Sequence, residues 1–181
     1  MRIAVYCSSS QQIDSRYIEQ AFELGVEIAS RGWELVTGGG QFSSMGAVSK
    51  GARSKGGHTI GVIPQRLVDI EYADHGSDEL HIVDSMRTRK AMMEDLSDAF
   101  IALPGGAGTL EELFEIWVGR YLSFHDKPVI ILDSFGIYKP LKELVSHLAQ
   151  EKFLRPGQID ILHWTTSIEE ALSVVESHTN N

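Results

Sequence analysis

The sequence predicts an α/β domain, a doubly wound parallel sheet with helices on both faces. Three observations carry this. Short β-rich apolar runs alternate with longer helical patterns along the chain, an order that implies parallel strands joined by crossover helices. One run, Ala99-Phe100-Ile101-Ala102-Leu103, is apolar at every position, as a strand buried on both faces must be. The length, 181 residues, suits one ordinary domain and not comfortably two, so residues 1–181 are read as a single domain.

The elements follow in order. Ile3–Tyr6 is the first strand; its apolar stretch is too short for a signal peptide. Tyr17, Ile18, Ala21, Leu24, Gly25, Ile28 and Ala29 recur at threes and fours, one face of a helix that Gly32 stops. Glu34–Thr37 is the second strand, Thr59–Ile63 the third and Leu80–Val83 the fourth. Ser85-Met86-Arg87-Thr88-Arg89-Lys90 opens a helix that Met92, Met93 and Leu96 continue. Ala99–Leu103 is followed by a helix over Leu110–Leu122, and Val129–Leu132 by one carrying Leu141, Leu144, Val145 and Leu148. Ile159–Leu162 is the expected last strand, and residues 177–181 are expected to fray.

Composition narrows the function. A formal charge of −9, from 25 acids against 16 bases, repels polyanions and argues against nucleic acid as a partner. It leaves room for one small anion, because surface fields are screened beyond about 8 Å at physiological salt. The single cysteine, Cys7, excludes an internal disulfide and fits a reducing compartment. No apolar run approaches the roughly 20 residues of a membrane span. A soluble cytoplasmic protein without a membrane partner is expected.

Ligands of such sheets bind at the carboxyl ends of the strands, and two loops there are rich in glycine. Residues 36–46 contain Gly38-Gly39-Gly40, and residues 103–112 contain Pro104-Gly105-Gly106-Ala107-Gly108-Thr109. Glycines let the backbone approach a ligand, and a helix start adds free N–H groups and about half a positive charge. Together they make a phosphate cradle that needs no lysine. Neither loop has the lysine of a P-loop, and the loop after the first strand, Cys7-Ser8-Ser9-Ser10, lacks the dinucleotide fingerprint. The competing reading is that these glycines serve tight turns alone.

Arg87, Arg89 and Lys90 stand in a first helical turn, where the dipole disfavours cations. Either an anion lies across that turn, or the face is solvated with Lys90 paired to Glu94. Thr109-x-x-Glu112 has the spacing of a capping box, which would orient Glu112 whether or not it does chemistry. His58, His75, His81, His125 and His163 show no metal-ligand spacing, so no metal is expected; His75 and His81 read as surface residues, and Cys7 as packing. The helix over Leu110–Leu122 is apolar around most of its circumference, more than one sheet face can bury, and a symmetric homodimer is the economical solution.

Together these residues resemble the Lonely Guy family of cytokinin riboside 5′-monophosphate phosphoribohydrolases. The signature is Arg89-Lys90 followed by Pro104-Gly105-Gly106-Ala107-Gly108-Thr109-Leu110-Glu111-Glu112. The similarity extends from Cys7-Ser8-Ser9-Ser10 through Gly61-Val62-Ile63-Pro64 to His125-Asp126-Lys127-Pro128. The resemblance implies a Rossmann-like homodimer, without a cofactor, that cleaves the N-glycosidic bond of adenosine 5′-monophosphates, modified at N6 or plain. Products would be free base and ribose 5-phosphate. By position it makes Arg89 and Glu112 the catalytic pair. Glu71, Lys90 and the stretch Gly105, Gly106, Ala107, Gly108, Thr109, Leu110 and Glu111 would bind the nucleotide, with Gly39 and Gly40 helping to enclose its phosphate.

The sequence departs from the family where Ser43-Ser44 replaces a usual Gly-Leu, Arg87 a common histidine, and Val118 a frequent threonine. The rival reading is a non-catalytic nucleotide or cofactor carrier on the same scaffold. A lysine decarboxylase is a third, but nothing in the sequence marks a lysine for pyridoxal phosphate.

Overall fold

A computed structural model of the protein describes residues 1–70 and 72–179. The strands are β1 (Arg2–Tyr6), β2 (Glu34–Thr37), β3 (Thr59–Pro64), β4 (Glu79–Val83), β5 (Ala99–Ala102), β6 (Val129–Leu132) and β7 (Leu162–Thr165). Between and after them run α1 (Ser15–Ser30), α2 (Ser43–Ser54), the single turn α3 (Gln65–Val68), α4 (Met86–Leu96), α5 (Ala107–Tyr121), α6 (Lys139–Gln150) and α7 (Ile168–Thr179). All strand pairs are parallel, in the order β4-β3-β2-β1-β5-β6-β7. The expected doubly wound sheet is therefore present.

Alternation along the strands divides the core in two. Ile3, Val5 and Cys7 of the β1 run face α1, α2 and α7, packing with Leu24, Ile28, Val48 and Leu172. Ala4 and Tyr6 face the other way, toward Met93 of α4, Leu113, Ile116 and Trp117 of α5, and Val145 of α6. The helices begin and end on local chemistry: the Asp14 carboxylate accepts from Arg16 N to start α1, and Gly32, at φ +70°, follows its end.

Two expectations are corrected at the carboxyl end. The last strand is Leu162–Thr165 and not Ile159–Leu162. Residues 155–161 form turns instead: Gln158 N donates to Arg155 O, Leu162 N to Ile159 O, and Gln158 O accepts from Trp117 Nε1. Ile159 and Ile161 still pack against the core from that turn, which is why they read as strand. The helix α7 also continues into the stretch expected to fray, through Ser177 and His178 to Thr179, while residues 180 and 181 of that stretch lie outside the described residues.

Ser43 opens α2 at φ +55°, and its buried hydroxyl has no hydrogen-bond partner among the described residues. A left-handed backbone costs a non-glycine residue roughly 1–2 kcal/mol, and an unpaired buried hydroxyl adds to it. Glycine here loses part of that gain to its freer unfolded chain. Ser43→Gly should still raise Tm by about 2–4 °C in a thermal melt.

Candidate active site

The strand order reverses between β1 and β5, so the loops leaving those two strands part and open a crevice at the carboxyl edge. A cleft of about 470 Å³ lies there. Ser8, Ser9 and Ser10 form one side, and Pro104, Gly105, Gly106, Gly108 and Thr109 the other. Arg89 and Glu112 form polar wall; Ile13, Tyr17, Met45, Met86 and Ile137 form apolar wall, with Cys7 at the strand end.

The helix α5 starts at Ala107, three residues before the expected Leu110, and its Gly106 cap position has no side-chain partner. The capping box is thus corrected: Thr109 and Glu112 both lie inside the helix, where neither can occupy the cap. The first N–H groups of a helix have no intrahelical acceptor, and those opening α5 are left for a ligand in the cleft. Close packing of the turn itself depends on Gly105, where a Cβ would stand 2.1 Å from Thr109 Oγ1.

Released from capping, Glu112 faces Arg89, with Oε1 3.6 Å from Nη1 and both side chains 7 % exposed. Burial pushes the Glu112 carboxyl up to about 7, against the pull of Arg89 and, more weakly, Lys90; the neighbouring Glu111 and Glu115 charges raise it further. Arg89 is fixed by the backbone. Its Nε donates to Val62 O at 3.1 Å and its Nη2 to Gly38 O at 3.2 Å. A Cβ on Gly38 would stand 1.5 Å from that Nη2, so only glycine admits the guanidinium.

The first glycine loop consequently spends its groups inside the protein. Gly39 N donates to Thr37 Oγ1, Gly40 N to Met45 Sδ and Gln41 N to Tyr72 O, while Gly39 O accepts from Asp74 N. Arg53 holds Asp74 through an ion pair at 2.9 Å.

Of the residues expected at the site, Arg89, Glu112, Gly105, Gly106, Gly108 and Thr109 come together around the cleft. Gly39, Gly40, Lys90, Ala107, Leu110 and Glu111 do not line it, and Glu71 lies outside the described residues. The expected alternative pairing of Lys90 with Glu94 is replaced: Lys90 Nζ reaches across to α5, bonding Glu111 Oε1 at 2.7 Å and also Glu115. Those carboxylates project from α5 toward α4, where they oppose the Lys90 charge more closely than a neighbour on its own helix.

Sequence reasoning did not assign Ser8–Ser10 or the apolar wall. The signal was the strand order, since the loop after β1 must border the crevice once β5 pairs beside β1. Cys7 is buried beside Glu112, and burial pushes its thiol far above the usual range, which suits a packing role. His58 and His81 both meet Glu79 near the sheet edge, and His125 bonds the Ile116 carbonyl.

Comparison with known proteins finds relatives over most of the chain. The family model described as "Possible lysine decarboxylase" matches residues 45–175. The chain is 46% identical over 170 residues to a cytokinin riboside 5′-monophosphate phosphoribohydrolase of Mycobacterium tuberculosis, covering 94% of this chain and 90% of that one. It is 41% identical to the enzyme LOG3 of Arabidopsis thaliana, covering 98% and 82%. Among solved structures, the molybdenum cofactor binding protein of Rippkaea orientalis superposes with a TM-score of 0.76 at 25% identity, covering 98% of this chain and 96% of that one.

Proposed function

We propose, for a chain that belongs to the family of cytokinin riboside 5′-monophosphate phosphoribohydrolases, that it hydrolyses the N-glycosidic bond of adenosine 5′-monophosphates. Bases modified at N6 and plain adenine are both included. The supporting observation is the buried Arg89–Glu112 pair facing a cleft whose other wall is an uncapped helix start.

The phosphate docks on the free amides that open α5, helped by the serines after β1. It supplies binding energy remote from the reacting bond, so unphosphorylated nucleosides are poor substrates. As the C1′–N bond breaks, positive charge builds on the sugar. The Glu112 carboxylate, ionised, stabilises that charge and orients water for attack at C1′. The water's hydroxyl ends on C1′ and its proton leaves with the base. Arg89, whose guanidinium offers five N–H donors and no acceptor, is no base; it fixes Glu112 and faces the ribose or phosphate. Lys90 braces the acidic face of α5 from outside. No cofactor enters this scheme.

Incubating the protein with AMP or isopentenyladenosine monophosphate should release free base and ribose 5-phosphate. Absence of both products at high protein concentration, with every common nucleoside monophosphate, defeats the reading. The cofactor-binding structural relative favours a second reading, a non-catalytic carrier; that reading requires ligand-dependent thermal stabilisation without product.

The reading extends to assembly and place. The outward face of α5 and the turn after it leave Phe114, Leu122 and Phe124 exposed, the last at 79 %. A second copy covering them gives a homodimer, and light scattering should return about twice the chain mass of 20.1 kDa. Among the described residues no helix is long and apolar enough to cross a membrane. A cytoplasmic setting would keep the lone Cys7 reduced.

A further inference from the structure

We infer that Tyr138 is a positioning residue for the phosphate end of the cleft, its phenol holding the Leu103-Pro104-Gly105 turn in the shape that leaves the α5 amides free for an anion. The inference rests on the nucleoside monophosphate reading of the cleft and goes beyond the signature residues, since Tyr138 lies 26 positions past Glu112 on another loop.

The segment after β6 is built to deliver this ring. Asp133, just past the strand, accepts from Ile137 N at 2.9 Å and from Tyr138 N at 2.8 Å. Those two bonds and Gly136, at φ +75°, fold residues 133–138 back toward β5. Tyr138 then stands as the cap residue before α6, 4 % exposed. Its hydroxyl uses both of its capacities on one turn. It accepts from Gly105 N at 2.8 Å and donates to Leu103 O at 3.0 Å.

The consequence is a division of donors. The Gly105 amide is spent on the phenol, and the chain is thereby anchored immediately before the uncapped start of α5. Gly105 is gripped from the other side as well, because Thr109 leaves no room for a Cβ there. The turn is therefore clamped between α5 and the Tyr138 hydroxyl. Burial pushes the phenol up to about 12, so it keeps the proton that it donates to Leu103 at any ordinary pH. The residue before it, Ile137, lines the cleft, which ties the same segment to the bound molecule.

The test compares wild type with Tyr138→Phe, which keeps the ring and removes the hydroxyl. Two quantities are read: calorimetric affinity for ribose 5-phosphate, and KM and kcat for base release from AMP. The expected result is affinity weakened by about 10-fold or more and KM raised by a similar factor, with kcat within about 3-fold of wild type. A purely structural role predicts otherwise, with kcat and affinity falling together in step with the loss of folded protein, and that result overturns the inference. Unchanged affinity overturns it too.

If Tyr138→Phe fails to fold, Asp133→Asn retains the hydroxyl while weakening the bonds that aim it. It should weaken ribose 5-phosphate affinity in the same direction, and unchanged affinity is again decisive against the inference. Wild type that binds ribose 5-phosphate yet releases no base sinks the hydrolase reading alone, because the binding comparison still decides on Tyr138. Wild type that binds no ribose 5-phosphate overturns the inference about Tyr138, while the hydrolase reading still stands or falls on product release.

Discussion

Glu112→Gln lowers the rate of base release from AMP by about 10²–10³-fold while the protein remains folded, as circular dichroism would show. The amide matches the carboxyl in shape and still faces Arg89, but it carries no charge to set against the developing sugar cation. Near-normal turnover would return Glu112 to a purely structural place. The same group sets the pH dependence. Burial holds its carboxyl at about 7, so kcat/KM should rise with pH to a plateau above that value, and this limb should vanish in the Gln variant.

Stability runs the opposite way. At pH 4 the carboxyl is largely protonated whether the chain is folded or not. Between about 4.5 and 7 the unfolded chain ionises while the folded one keeps its proton, so stability falls as pH rises and levels off above 7. The shift corresponds to a loss on the order of 3 kcal/mol. Burial lowers the pKa of His125 and His163, which adds an opposite slope in both proteins, so the readout is the difference between wild type and Glu112→Gln in denaturant melts, which should fall across this window. A difference that instead rises over the same range would contradict a buried, proton-retaining carboxyl.

Gly38→Ala should be nearly as damaging to activity, although the residue need not touch substrate. The added methyl would coincide with the Arg89 guanidinium, 1.5 Å from Nη2. Backbone on one side and the Val62 carbonyl on the other leave the side chain nowhere to shift without losing its bonds. A displacement of an ångström at a reacting group costs about 10²-fold, and a comparable fall in kcat/KM is expected here. Stability should also fall, since a buried cation loses one of its acceptors. Turnover within about 3-fold of wild type would show that Arg89 does not act from its observed position.

The fold was legible because its signals are local. Complete burial of Ala99–Ala102 needed only an apolar run, and the α1 stripe only its spacing. The last strand was missed because Ile159 and Ile161 bury their side chains from a turn, and apolarity alone does not separate the two. At the site, Arg89 stood out as a charge in an unfavourable place, and its resolution lay in carbonyls 27 and 51 residues away. No local pattern reports contacts of that range. Glu112 carried a misleading cue: the capping spacing is real, but the helix begins earlier than the threonine suggested. Tyr138 was invisible for the same reason as the carbonyls, because its partners belong to a different crossover.

The Lys90 bridge to Glu111 and Glu115 constrains how the pocket can move. Arg89 and Lys90 are consecutive, as are Glu111 and Glu112, so each helix presents one member of its pair to the interior and the other to the outer seam. A helix advances only about 1.5 Å per residue, so sliding α5 along α4 would break the seam and part the inner couple in one stroke. The geometry of the buried couple is thereby tied to the more exposed charges beside it, and a change at Lys90 would be felt at Glu112.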